Sequence, residues 1–222
     1  MPSIAQGSKE SLNLSCTVQP NRVDFAISPL TPFQDPTGAQ FPVILDAGQL
    51  VNELLRCIGL IGRNLVPNSI FRAALALQFM NVRPSFVDAN KILTAVIPAS
   101  YGVRLTDEED FVFQVNRPYP SRSENIRMNA LTKWSVDRLR IVTFSVSTQN
   151  IPAASPSLAT QPLTSEFISA SVTFDNNNAP TDRALSPQIQ AAVLNEALAS
   201  VMRTLKDIGL QVEGFENADL PR

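Results

Sequence analysis

The chain has 222 residues, of which 44% are hydrophobic and only 17% are charged, and its formal net charge is -2. It contains no histidine and two cysteines, Cys16 and Cys57, which excludes His-dependent catalytic triads and leaves zinc and haem sites without their usual ligands. Neither a signal peptide nor a long apolar window is present, so we expect an intracellular chain with reduced thiols. The low charge content favours burial of the exterior against copies of the same chain.

Residues 1–45 are predicted to form an N-terminal arm with short strands. Residues 1–11 are small and polar, which is typical of a loose segment. Apolar side chains alternate from Leu12 to Val18 and from Arg22 to Ile27, and this period of two predicts two strands joined by a turn. Four prolines between Ser28 and Pro42 predict an extended segment.

Three helices are predicted to follow. The first begins at the N-cap Asp46 and ends near Asn64, and the second runs from Asn68 or Ser69 to Val82 with Phe71, Leu75 and Phe79 spaced four residues apart. The third runs from the N-cap Ser85 to Ile97. Because the connecting turns are short and carry prolines, we expect an antiparallel bundle.

Four consecutive carboxylates precede an apolar run: Asp107, Glu108, Glu109 and Asp110. One interpretation is an acidic first helical turn, since Thr106 and Glu109 have the spacing of a capping box. The alternative is a carboxylate cluster whose mutual repulsion resists close packing until protons or a cation arrive.

The segment from Asn116 to Arg140 holds six basic residues against two acidic ones, a local charge of +4. Ser121 and Glu124 have the spacing of a second capping box, which predicts a helix through about Arg138. The guanidinium fork suits phosphate, so the segment is a candidate nucleic-acid site, with a solvated helix face as the alternative. The candidate phosphate ligands are Arg117, Arg122, Arg127, Arg138 and Arg140. Tyr119 and Trp134 are candidates for stacking on bases, with packing inside the protein as the alternative for both.

The remaining chain is predicted to contain a strand over Arg140 to Ser147, a surface loop over residues 148–165 and a strand over Glu166 to Phe174. Ser186 and Pro187 then begin a helix that ends at Ile208, before a C-terminal arm of residues 209–222. The predicted fold class is therefore mainly α, an antiparallel helical bundle with a few short strands and extended terminal arms. Its core is expected to span residues 46–208.

The sequence contains no catalytic set and no glycine-rich phosphate loop, so we expect no enzyme activity, cofactor or metal site. An enzyme that uses carboxylates as acid and base is the weakest of the alternatives.

The helices, the arginine-bearing segment, the polar arms and the missing catalytic set together resemble, in organisation only, the coat proteins of rod-shaped or filamentous plant-type RNA viruses. The resemblance implies a subunit that assembles with its own copies and packages single-stranded RNA through sequence-independent phosphate contacts. It also implies location in the virion, and in the host cytoplasm during assembly, with no membrane partner. The alternative is a cellular or phage-like scaffold without nucleic acid, in which the arginines pair with the acidic run of a neighbouring subunit.

Overall fold

A computed structural model describes residues 3–9, 12–19, 22–29, 32–34, 40–42, 47–63, 70–107, 109–122, 125–145 and 161–209. Nine strands, three α-helices and a short 3-10 helix (Ala99–Tyr101) lie in these ranges. The strands are β1 (Ser3–Lys9), β2 (Leu12–Gln19), β3 (Arg22–Pro29), β4 (Pro32–Gln34), β5 (Gln40–Pro42), β6 (Ala74–Arg83), β7 (Val112–Pro120), β8 (Arg127–Ser145) and β9 (Gln161–Asn178). The helices are α1 (Ala47–Ile61), α2 (Phe86–Val96) and α3 (Pro187–Asp207).

The prediction of a mainly α bundle is wrong, because more of the described chain lies in strands than in helices. The strands form a three-stranded sheet of order β1-β2-β3, a pair β4-β5 and a four-stranded sheet of order β6-β9-β8-β7. Two of the predicted helices are strands in the structure. The second predicted helix is replaced by β6, and the helix predicted after Ser121 is replaced by β8.

The three-stranded sheet confirms the two strands predicted from alternating apolar residues. Leu14 lies opposite Ile27 and Cys16 lies opposite Phe25, so the apolar side chains of β2 and β3 share one face. The prediction of a loose segment over residues 1–11 is wrong, since β1 pairs with β2 along its whole length. On α1, buried Glu53 accepts a hydrogen bond from Lys9 Nζ of β1 at 3.0 Å, which joins the sheet to the helix.

The chain forms two compact units. Unit 1 comprises Met1–Gln78, Gln114–Lys133 and Thr173–Arg222, and unit 2 comprises Phe79–Phe113 and Trp134–Val172. Strands β6, β7, β8 and β9 each contribute residues to both units.

The strands of the four-stranded sheet are antiparallel. The Ala179 amide donates to the carbonyl of Arg127, and further along the ladder the Ser169 hydroxyl donates to the carbonyl of Asp137. The buried side chain of Asn178 joins the end of β9 to the start of β6. Its Oδ1 accepts from the Ala73 amide at 2.7 Å and its Nδ2 donates to the Phe71 carbonyl at 3.2 Å.

The helices that the sequence predicted correctly have clear capping residues. The Ser85 side chain accepts from the amide of Asp88 at the start of α2, and the Ser186 side chain accepts from the amide of Ile189 at the start of α3. Helix α3 is followed by Gly209, whose φ of 68° favours glycine. Helix α1 is also confirmed, although its predicted N-cap Asp46 lies outside the described residues.

Helix α3 packs on one face of the four-stranded sheet in unit 1. The Asn176 side chain of β9 donates to the carbonyl of Ala197 at 3.1 Å, and both residues are buried. The core of this unit includes Phe174 and Met128 on the same face of the sheet and Leu198 on the helix, all of them inaccessible to solvent or nearly so. The four-stranded sheet therefore has one face covered by α3 and one face directed away from it.

Candidate functional site

The structure separates the five arginines predicted to contact phosphate. Arg117 on β7, Arg122 after β7 and Arg127 at the start of β8 all belong to unit 1 and are exposed. Arg138 lies further along β8 in unit 2. The backbone of Arg140 lies in β8, and its side chain is outside the described part of the chain.

Hydrogen bonds in the turn between β7 and β8 fix the position of the Arg122 backbone. The amide of Ser121 donates to the carbonyl of Ile126 at 2.8 Å, which closes the turn. Glu196 of α3 accepts a hydrogen bond from the Ser121 hydroxyl at 2.7 Å, and its two oxygens lie 3.1 and 3.2 Å from the amide nitrogen of Arg122. The helix that the predicted capping box would begin is replaced by β8, and the Ser121 side chain donates to a carboxylate from α3. Its proposed partner Glu124 is outside the described residues.

Tyr119 lies half-buried beside this turn, and its surroundings are rich in arginine. Burial raises the pKa of the Tyr119 hydroxyl and Glu196 adds to that increase, whereas the Ser200 hydroxyl and then the positive charges of Arg203 and Arg122 oppose it. Arg117 precedes Tyr119 by two residues on β7 and therefore points to the same side of the sheet. We call Arg117, Tyr119, Arg122, Glu196 and Arg203 the Tyr119 cluster. It has three guanidinium groups against one carboxylate, and that carboxylate is engaged with Ser121 and the backbone of Arg122.

Sequence reasoning missed two members of this cluster, Glu196 and Arg203. Both lie on α3, and the regular apolar stripe in its sequence indicates only the buried side of the helix. Arg203 is exposed on the opposite side. The only signal for it was a basic residue in the last third of an amphipathic helix, which is a common feature of solvated helices.

Trp134 lies in the interior of unit 2. Its ring centroid is 5.7 Å from that of Phe113 and 6.1 Å from that of Tyr101, and the residue is only 2% exposed. Aromatic contacts at these distances are typical of core packing. Trp134 is thus not accessible for stacking on a base in this structure, whereas Tyr119 is partly accessible.

Arg138 forms a separate group in unit 2. Its guanidinium lies 2.9 Å from a carboxylate oxygen of Glu166, 3.2 Å from one of Glu109, and 5.2 Å from the centre of the Phe86 ring. A shallow cavity of about 370 Å³ adjoins it, lined also by Arg83 and Ser85. Because two carboxylates neutralise Arg138, this group has no excess positive charge to offer a phosphate.

The acidic run does not begin a helix, so the prediction of an acidic first turn is wrong. Residues 106, 107, 109 and 110 form bends ahead of β7, and the Thr106 hydroxyl donates to the carboxylate of its neighbour Asp107. Glu109 pairs with Arg138, and Asp110 is exposed. Glu108 is outside the described residues. The pairing of an arginine with the acidic run, expected between subunits of a scaffold, is present within one chain.

No group of three or more potential metal ligands occurs in the described ranges. Among the described helices, none combines the length and apolarity that crossing a bilayer requires. Comparisons with protein-family models, with curated proteins and with solved structures found no match to this chain.

Proposed function

We propose that this chain is a structural, self-assembling subunit that binds single-stranded RNA through phosphate contacts of the Tyr119 cluster. The observation that supports the RNA contact is the presence of Arg122 and Arg203 beside one partly exposed tyrosine, Tyr119, with Arg117 on the same side of β7. Arginine forks donate to phosphate oxygens, and a partly exposed aromatic ring beside them can contact a base or ribose. Such contacts do not depend on base identity, as a packaging subunit requires.

Exposed apolar side chains support the self-assembly part of the proposal. On the described surface, Ile4 is 62% exposed and Val112 is 61% exposed, and both lie on edge strands of their sheets. Edge strands present unpaired backbone groups that a second chain can pair with. Copies of this chain are therefore the partners that these edges suit best.

A viral coat subunit remains the specific role that we propose, although the helical bundle on which the resemblance to rod-shaped coat proteins depended is absent. The second candidate is a scaffold without nucleic acid. It is favoured by one observation, the neutralisation of Arg138 by Glu109 and Glu166. Absorbance of the purified protein at nucleic-acid and protein wavelengths, together with negative-stain microscopy, distinguishes the two candidates.

The RNA proposal is tested by the salt dependence of binding to an oligouridylate. The double variant Arg122→Gln with Arg203→Gln removes two charges from the Tyr119 cluster. For a single-stranded ligand, removing one phosphate ion pair lowers the slope of log Kobs against log salt by about 0.7, so we expect the slope to fall by about 1.4. Fluorescence anisotropy between about 50 and 200 mM salt measures it.

The matched control is Arg72→Gln with Arg104→Gln, which removes the same charge from two exposed positions outside the cluster. We expect the control to keep the slope of the unmodified protein. Equal slopes for the two double variants contradict the proposed contact set, and no binding by the unmodified protein leaves the scaffold as the function.

A further inference from the structure

The face of the four-stranded sheet opposite α3 is open in unit 1. Alternate residues of β6 show this directly, because Leu75 and Leu77 are buried whereas their neighbours Ala74 and Ala76 are exposed. On the same outer face Gln78, Gln114, Asn116 and Arg127 are exposed, and Asn129 and Lys133 are half-buried. This face is therefore accessible to a ligand on β6, β7 and β8.

A chain of amide side chains crosses this face from β7 to β9. Asn116 Nδ2 lies 3.5 Å from Asn129 Oδ1, and Asn129 Nδ2 donates to Asn177 Oδ1 at 3.2 Å. Asn177, only 5% exposed, donates in turn to the carboxylate of Asp175 at 2.9 Å. Asn177 and Asp175 thus act as positioning residues that orient the amides of Asn129 and Asn116.

The asparagine side chains can form further hydrogen bonds in addition to those that join them to one another. Each asparagine amide has two N–H donors and an oxygen with two lone pairs. At Asn129, the contacts with Asn116 and Asn177 use one acceptor site and one donor. Oriented amides that retain both a donor and an acceptor suit the edges of bases and the ribose 2′-hydroxyl, which are donors and acceptors themselves. We call the outer residues Gln78, Gln114, Asn116, Arg127, Asn129, Lys133, Asp175 and Asn177 the amide face.

The charge of the amide face indicates which partner it suits. Arg127 and Lys133 lie at either end of the β8 segment that crosses it, and Asp175 is its one acidic member. The Tyr119 cluster lies on the α3 side of the same sheet, and Arg122 and Arg127 lie at the two ends of the β7–β8 turn, which the Ser121 amide closes by donating to the carbonyl of Ile126. A strand that passes around this turn therefore reaches both surfaces. A polar, mildly basic surface suits a polyanion with polar bases better than the apolar surface of a second subunit.

We infer that the amide face binds the bases and riboses of the same single-stranded RNA whose phosphates contact the Tyr119 cluster. This inference rests on the proposed function. It assigns a different kind of contact to each surface, with ion pairs at the Tyr119 cluster and direct hydrogen bonds at the amide face. The two contributions are separable, because counterion release sets the salt slope, whereas hydrogen bonds set the affinity that remains at high salt.

The experiment compares Asn116→Ala with Asn129→Ala, made together, against the unmodified full chain in titrations of oligouridylate over the same salt range. We expect the affinity extrapolated to 1 M salt to fall about tenfold, because two hydrogen bonds of modest net strength are removed. The slope should stay unchanged. Asn116→Ala alone is the second variant, since this side chain is exposed and its removal disturbs packing least, and we expect about a threefold fall.

The matched control is Asn52→Ala with Gln188→Ala, which removes two exposed amides from α1 and α3. It should bind like the unmodified protein. If the amide-face variants also bind like the unmodified protein while Arg122→Gln with Arg203→Gln flattens the slope, the inference is overturned and the proposed function stands. If the unmodified protein does not bind RNA, both fail. If the amide-face variants instead alter the sedimentation of the protein without RNA and leave RNA affinity unchanged, the face is covered by a second copy and the inference is overturned.

Discussion

Glu53 shows how a single buried charge can hold two elements together. Its side chain is 3% exposed and contacts Lys9 of β1 as well as Arg56 one turn further along α1. The hydrogen bond from Arg56 lowers the pKa of the Glu53 carboxyl, burial opposes this effect, and Lys9 adds to the lowering. The net effect is a carboxyl that holds its proton less tightly in the folded chain than in the unfolded chain.

The sign of this difference predicts how stability depends on pH. A group whose folded-state pKa is lowered stabilises the protein above its ordinary value, here 4.5, and the contribution is lost as pH falls through the folded-state pKa. We therefore expect the free energy of unfolding to fall less steeply below about pH 4.5 in Glu53→Gln than in the unmodified protein. At neutral pH the variant should be less stable by about 1 kcal/mol. Urea denaturation at several pH values measures both effects.

The control for this prediction is Asp110→Asn, which removes an exposed carboxylate. Its free energy of unfolding at neutral pH should match that of the unmodified protein. A Glu53→Gln variant with the same acid sensitivity as the unmodified protein would show that the Lys9–Glu53–Arg56 contact does not contribute to folding.

At the scale of elements, strands β6 and β8 show why helices were predicted where strands form. Phe71, Leu75 and Phe79 are four residues apart, as are Ile126, Ala130 and Trp134. A spacing of four places residues on one side of a helix, but four is also an even number, so the same residues share one face of a strand. Every second position along the segment distinguishes a strand from a helix, because all of these positions share one face only in a strand. In β8 they include Met128, Thr132 and Val136, which are buried.

The β7–β8 hairpin depends on α3 for its turn, which leads to a prediction about Glu196. Replacing Glu196 with Ala removes the acceptor for the Ser121 hydroxyl and the Arg122 amide. We expect faster hydrogen exchange at the amides of Ser121 and Arg122 and a decrease of about 1 kcal/mol in the free energy of unfolding, since the site is partly exposed. Exchange followed by mass spectrometry locates the effect.

The conservative variant Glu196→Gln keeps one acceptor oxygen and loses the charge, so its exchange rates should be intermediate. Unchanged protection of the turn in Glu196→Ala would mean that the hydrogen bond between Ser121 and Ile126 is sufficient to hold it.

At the scale of the whole molecule, unit 1 and unit 2 both contain residues of strands β6, β7, β8 and β9. We therefore expect them to unfold in one transition, although each has its own buried residues. Fluorescence of Trp134, the single tryptophan, reports on unit 2, whereas helical circular dichroism arises mostly from α1 and α3 of unit 1. The two signals should have the same midpoint in urea. Separate midpoints would show that the units unfold independently.

The sequence by itself determined the elements whose signals are local. Serine caps and a terminating proline or glycine placed α2 and α3, because a cap and its partner lie within one helical turn. Strict alternation placed β2 and β3, since only a strand has a period of two. The positive segment around Arg117, Arg122 and Arg127 was also visible in the sequence, because charge can be counted without a fold.

Only the tertiary structure decided how these pieces combine. The residue spacing in β6 and β8 is compatible with a helix or a strand, and pairing with β9 makes both segments strands. The hydrogen bonds of a sheet join residues far apart in the chain, so the local sequence does not contain this information. The same pairing removes Arg138 from the basic group and gives it Glu109 and Glu166 as partners, while α3 brings Arg203 to Tyr119. The local sequence does not indicate which distant side chains will lie next to a charged residue. Strand register and helix packing determine whether such a neighbour neutralises the charge or adds to it.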